Sequence, residues 1–180
     1  MPLALETVLQ PAIRCGLVDP QTAELIRRDV LVNRADAVRA ICMRGRVPSS
    51  AVFQALAGDM NVEFVGLERL LLRPELIERI APALIRRKMV LPIEETDCDV
   101  LCAVGDLDAL GDQRLGEALN RALGKPARLA LADPDELRPV VEQAVEHEAQ
   151  AGAAGARAGA SAAAVADGAV ALVEEVMREA

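Results

Sequence analysis

"VGLERLLLRPELIERIAPALIRRKMVLPIEE", residues Val65–Glu95, is the stretch on which the reading of the fold turns. It holds six Arg/Lys in a chain whose formal net charge is −8. Pro74 suits a helix start, and Leu76, Ile77, Ile80, Leu84 and Ile85 then make one apolar face at helical spacing. Pro82 interrupts that face and predicts a kink, or a fresh start after Ile80. Arg79, Arg86 and Arg87 fall on the other side or at the end, where cations suit a helix C-terminus. Lys88–Ile93 follows as a strand, which Pro92 assigns to a sheet edge or a bulge.

Working outward, Val62–Leu67 is short, apolar and β-branched, and predicts a strand. Asp99–Gly105 is another, joined to Lys88–Ile93 through the polar turn "EETDC" as a hairpin. Asp112–Gly124 carries Leu115, Leu119, Ala122 and Leu123 on one stripe and ends in a glycine, which predicts a helix. Ala127–Ala132 is a last strand. Asp133–His147 is a closing helix with Asp133 at N-cap, Pro134 at N1 and Glu136 at N3, close to a capping box. Strands and helices alternate irregularly. Residues 61–148 therefore read as a small α+β domain with about four short strands.

Residues 1–60 contain a weak repeat. Setting Gly16 on Gly45 gives a period of 29 residues, with Val18 on Val47, Ile13 on Cys42, Ala12 on Ile41 and Leu9 on Val38. Each copy reads as helix, glycine, valine, helix. The glycines suit left-handed C-caps, Asp19-Pro20 suits N-cap and N1, and Pro48-Ser49-Ser50 plays a similar starting role. Two helical hairpins burying their apolar faces on each other make a bundle. Residues 149–168 have few large side chains and read as an Ala/Gly-rich flexible linker. Residues 169–180 put Val170, Val173, Val176 and Met177 on one face. That tail reads either as a docking helix or as a segment that folds back on the domain.

The totals exclude several classes of function. The acidic balance argues against a nucleic-acid surface, and an aromatic content of 1% leaves no stacking platform. No apolar run reaches the roughly 18–20 residues of a membrane span, and the N-terminus lacks a basic leader, so the expected location is cytoplasmic. Cys15, Cys42, Cys98 and Cys102 are expected as buried free thiols. "CDVLC" has no second pair and the chain has one histidine, His147, so no metal site is expected. "ALGKPAR" around Lys125 lacks the second glycine and the Ser/Thr of a phosphate loop, and reads as a turn. No catalytic group and no cofactor site emerges, and the chain is expected not to be an enzyme.

From Val62 to His147 the order of elements resembles the N-terminal domain of the cytoplasmic assembly ATPases of type II secretion and type IV pili. The resemblance rests on "EFVGL", "IAPALIRRKMVLPI", "DVLCAVGDLDAL", the glycine-and-strand segment Gly124–Leu131 and "DELRPVVEQAVE", in that order. Residues 1–60 resemble the tandem helical part that often precedes it. Leu107 departs from the family, which tends to proline there. The resemblance implies a non-enzymatic adaptor that docks on a protein partner, a membrane-platform component reached from the cytoplasm. Arg86, Arg87, Val170, Val173, Val176 and Met177 are the expected contacts. Some members bind cyclic di-GMP through an R-L-G-x-x-L start and a terminal Gln in each helical motif. Here Thr7 and Asp36 stand at the Arg, Leu9 and Val38 at the glycine, Val30 and Asp59 at the Gln. "RLGEAL" at Arg114–Leu119 lies in the other half. An Asp repels phosphate, so cyclic di-GMP is not an expected partner. A cyclic di-GMP-sensing domain and a stand-alone regulatory adaptor are the alternative readings.

Overall fold

The computed structural model describes residues 5–147. The linker and the tail, with Val170, Val173, Val176 and Met177, lie outside them.

Four helices come first: α1 (Leu5–Arg14), α2 (Pro20–Asn33), α3 (Ala37–Gly45) and α4 (Ser49–Asp59). Local chemistry sets their ends. The Asp19 carboxylate accepts from the Gln21 and Thr22 amides, with Pro20 at N1, and Asp36 accepts from the Arg39 amide. The two repeat glycines differ. Gly16 has a φ of +70°, the left-handed cap expected of it. In the second copy the left-handed residue is Arg46, one position later. Gly45 is needed for closeness instead: a Cβ there would meet the Leu17 carbonyl oxygen and Val18 at 3.3 Å. Both valines of the repeat pack at this point, so the glycine sits where the two copies touch. The hairpins interlock, α1 lying on α4 and α2 on α3. Leu9, Ile26, Ile41 and Leu56 fill the space between them.

The second half is a four-stranded sheet of order β1-β4-β3-β2. Its strands are β1 (Phe64–Val65), β2 (Val90–Glu95), β3 (Val100–Val104) and β4 (Ala127–Ala132). β2 and β3 form the expected antiparallel hairpin, with an irregularity between Pro92 and Glu94. β2 is an edge strand, which tolerates the missing N–H of Pro92. β4 pairs in parallel with β3 on one side and with β1 on the other. The first strand is shorter than expected, because the chain leaves it at Gly66 for a 3-10 turn over Leu67–Arg69.

The helices of this half are α5 (Pro74–Ile77), α6 (Pro82–Lys88), α7 (Leu107–Leu110), α8 (Gln113–Leu123) and α9, described over residues 134–147. Pro82 does restart the helix. Asp112 caps α8, and Gly124, with a φ of +72°, ends it. The "RLGEAL" stretch lies in α8 and is structural: Leu115 and Leu119 are buried against the sheet domain's core with Ile85, Leu101 and Leu137. The two halves share apolar side chains. Leu131 of β4 is fully buried in the core of the helical module, where Phe64 and Leu107 join it. An α+β chain with two helical hairpins ahead of a small four-stranded sheet is thus the observed architecture.

Candidate functional site

β1, β3 and β4 run in parallel, so their carboxyl ends open on one side of the sheet. In open sheets of this kind that side is where ligands bind. A cleft of about 880 Å³ lies there, between the sheet and the helical module. From α3 come Asp36 at its N-cap, Val38, Arg39 and Cys42. The α3–α4 connection and α4 supply Val47, Pro48, Ser49 and Phe53. Gly105, Asp106 and Leu107 follow β3, and Asp133, Pro134, Asp135 and Arg138 open α9.

The chain folds this way for identifiable reasons. Gly105 lets the end of β3 pass close to α9, since a Cβ there would meet Pro134 Cα at 3.3 Å. Asp133 is 1% exposed and is the one buried charged residue among those described. Its carboxylate accepts from the Asp135 amide as the α9 N-cap. It also accepts from Ser49 Oγ at 2.5 Å. Ser49 thus serves a different purpose from the cap expected of it: the α4 N-cap is Pro48, with no side-chain bond. One hydroxyl–carboxylate bond ties the two halves together at the cleft.

Four aspartates and two arginines give the cleft both signs of charge. Its apolar wall is Val38, Val47, Phe53 and Leu107. Burial, then Asp133, Asp135 and Asp36, push the Cys42 thiol upward, which disfavours its thiolate. Cys102 is fully buried and its thiol is pushed up to about 12 by burial alone. Cys15 and Cys98 are exposed, against the expectation of buried thiols: both lie in turns, after α1 and between β2 and β3. Among the described residues no group of three or more His, Cys, Asp and Glu could hold a metal ion, and no helix is long and apolar enough to cross a membrane. Lys125 bonds to Glu95 at 2.9 Å and to the Thr96 carbonyl oxygen at 2.7 Å, which fixes its turn.

Arg86 and Arg87 are exposed in the last turn of α6, beside the start of β2 and outside the cleft. Of the positions where the resemblance puts cyclic di-GMP motif residues, Asp36 and Val38 line the cleft. Leu9 is core, and Asp59 pairs with Arg14. The residues that sequence reasoning missed are Arg39, Ser49, Asp133 and Arg138. Asp133-Pro134 was legible as a cap, yet nothing local announces that its other oxygen reaches Ser49.

The MshEN domain family matches residues 60–151, just over half of the chain. The chain belongs to the MshEN domain family. It is therefore a non-catalytic accessory domain of the kind found at the N-terminus of such assembly ATPases. No curated protein matches it in sequence. Among solved structures, that of MshE with cdg (cyclic di-GMP) is 15% identical, covers 76% of this chain and 96% of its own, and superposes with a TM-score of 0.57. Two crystal forms of the XpsE N-terminal domain, 15% and 17% identical, each cover 79% of this chain and 96% and 97% of their own. Their TM-scores are 0.46 and 0.42. The MshE structure corrects one expectation. A protein of this fold has been solved with cyclic di-GMP, so that dinucleotide cannot be set aside as a partner on the missing motif arginines. Two guanidinium groups do line the cleft, those of Arg39 and Arg138, rather than groups at positions 7 and 36, where the resemblance puts them.

Proposed function

We propose that this chain is a ligand-responsive accessory domain of a secretion- or pilus-type assembly ATPase, and that its cleft takes a cyclic dinucleotide. The supporting observation is the cleft itself, about 880 Å³ at the carboxyl edge of a sheet, in a fold shared with MshE. That volume suits a ligand of this size. The charge pattern assigns roles. Guanine presents N–H donors on its Watson–Crick edge, which aspartates such as Asp36 and Asp135 accept, while Arg39 and Arg138 answer the phosphates or guanine O6 and N7. An Asp at the motif position then serves the base and not the phosphate. Because both halves wall the cleft, occupancy bears on how they pack.

Calorimetric titration of the full chain with cyclic di-GMP tests the reading. Saturable binding in the micromolar range, about −8 kcal/mol, is expected. Arg39→Ala and Arg138→Ala together should weaken it about a hundredfold through two lost charge-assisted contacts. No saturation, or no effect of the double variant, would reject it.

A second reading is an adaptor that docks on a membrane-platform protein at the cytoplasmic face. What favours it is Arg86 and Arg87, both exposed beside the edge strand β2. Arg86→Glu with Arg87→Glu should then abolish co-purification with inner-membrane fractions while leaving the dinucleotide titration unchanged.

A further inference from the structure

A second groove, of about 700 Å³, runs between the end of α2 and α3. Asp29, Asn33, Ala40, Met43 and Arg44 line it. Asp29 and Arg44 pair across it at 2.7 Å. One lining side chain, Met43, is apolar and 74% exposed, and Val32, 71% exposed, immediately precedes the lining residue Asn33. The groove's own lining carries two aspartates and two arginines, and the stretch around it is basic. Residues 27–46 hold six arginines against two aspartates in a chain of net charge −8. Arg28, Arg34, Arg39 and Arg46 are exposed and make no ion pair with other described residues.

We propose that this groove is the docking site of the chain's own segment 169–180. The segment "AVALVEEVMREA" has the complementary chemistry. At helical spacing Val170, Val173, Val176 and Met177 make an apolar face of the kind that Val32 and Met43 lack a cover for. Glu174, Glu175 and Glu179 flank it with the charge that the arginines lack. As a helix the segment is about 18 Å long, three turns, and isolated helices of that length are marginal in water, so the groove is what stabilises it. Reach is not limiting: residues 148–169 as a random coil would have a root-mean-square span of about 26 Å. A 150-residue domain has a radius of gyration of about 15 Å. Arg39 and Asp36 belong to both this groove and the cleft, so a docked segment lies against the cleft wall. The proposal does not depend on the dinucleotide reading.

The test uses the full chain with a photo-crosslinking amino acid at Val173. Irradiation followed by peptide mapping should give an intramolecular adduct to residues 25–46. Met43→Glu, at an exposed position that tolerates charge, should lower its yield about tenfold, and Val176→Glu should do the same from the other side. Adducts confined to another surface would overturn the proposal. So would adducts that form only between chains and vanish on dilution, or yields that ignore both variants. Dinucleotide binding that persists in Met43→Glu keeps the two readings separable.

Discussion

The sheet domain and the helical module bury their apolar side chains to different degrees. Every residue of β3 is buried, and the sheet is closed over by α5, α6, α8 and α9. Among the described residues, five of the seven exposed large apolar side chains, Leu25, Leu31, Val32, Met43 and Met60, lie in the helical module, although it is the smaller half. The module also carries the basic stretch. The sheet domain cross-links part of its surface charge: Glu63 binds both Arg69 and Arg128, and Arg128 binds Asp99. Arg73, Arg86, Arg87, Arg114 and Arg121 stay exposed there and make no ion pair with other described residues. The difference between the halves is therefore apolar: the one that leaves more large apolar groups uncovered is the better candidate for burying a partner.

The comparison can be broken first at Leu131, the sheet residue buried in the helical core. Leu131→Ala should cost about 3 kcal/mol in urea unfolding while preserving one transition. Two transitions would mean that the halves fold independently. Asp133→Ala removes the α9 cap and the partner of Ser49, and should cost about 2 kcal/mol by the same measurement. Ser49→Ala should cost less, since the N-cap bond to Asp135 remains.

The pH dependence sharpens the contrast. Arg69, and then Arg128, hold the Glu63 carboxyl below its ordinary value. A depressed folded pKa contributes stability that is present above the unfolded pKa and is lost as pH falls through the folded one. Glu63→Gln should therefore weaken the fold by up to about 1 kcal/mol at neutral pH and leave it unchanged at the acid end, as denaturation against pH will read. Glu136 has the opposite sign. Desolvation, then Asp133 and Glu68, raise its pKa, and one of its carboxylate oxygens is buried without a partner. Its charged form is the destabilised one, so its contribution improves as pH falls through the folded pKa. Glu136→Gln should raise stability at pH 7 by a few tenths of a kcal/mol, the smallest effect here.

These same residues mark how much was legible. Caps and punctuators act within a few residues, so Asp19-Pro20, Pro82, Pro92, Gly124 and Asp133-Pro134 announced their elements correctly. Glu136 stands at N3, close to a capping box by pattern, yet its carboxylate accepts from the Leu67 backbone, because tertiary packing brings that turn within reach. Strand β1 is shorter than the expected Val62–Leu67, since pairing with β4 covers Phe64 and Val65 alone and the chain turns away at Gly66. The cleft was illegible for a related reason. Arg39, Ser49, Gly105 and Asp133 meet only once β4 has entered between β1 and β3, and no periodicity encodes that insertion. The tail segment and the arginine pair of α6 stand out by pattern, whereas no local pattern marks the groove beside Met43.

That insertion matters during synthesis. β4 is the last strand to leave the ribosome, yet it occupies an interior place in the sheet. Until Ala132 has emerged, β1 and the β2–β3 hairpin each present a bare hydrogen-bonding edge with nothing between them. A nascent chain whose β4 has not yet emerged is thus the form most exposed to mispairing with its neighbours.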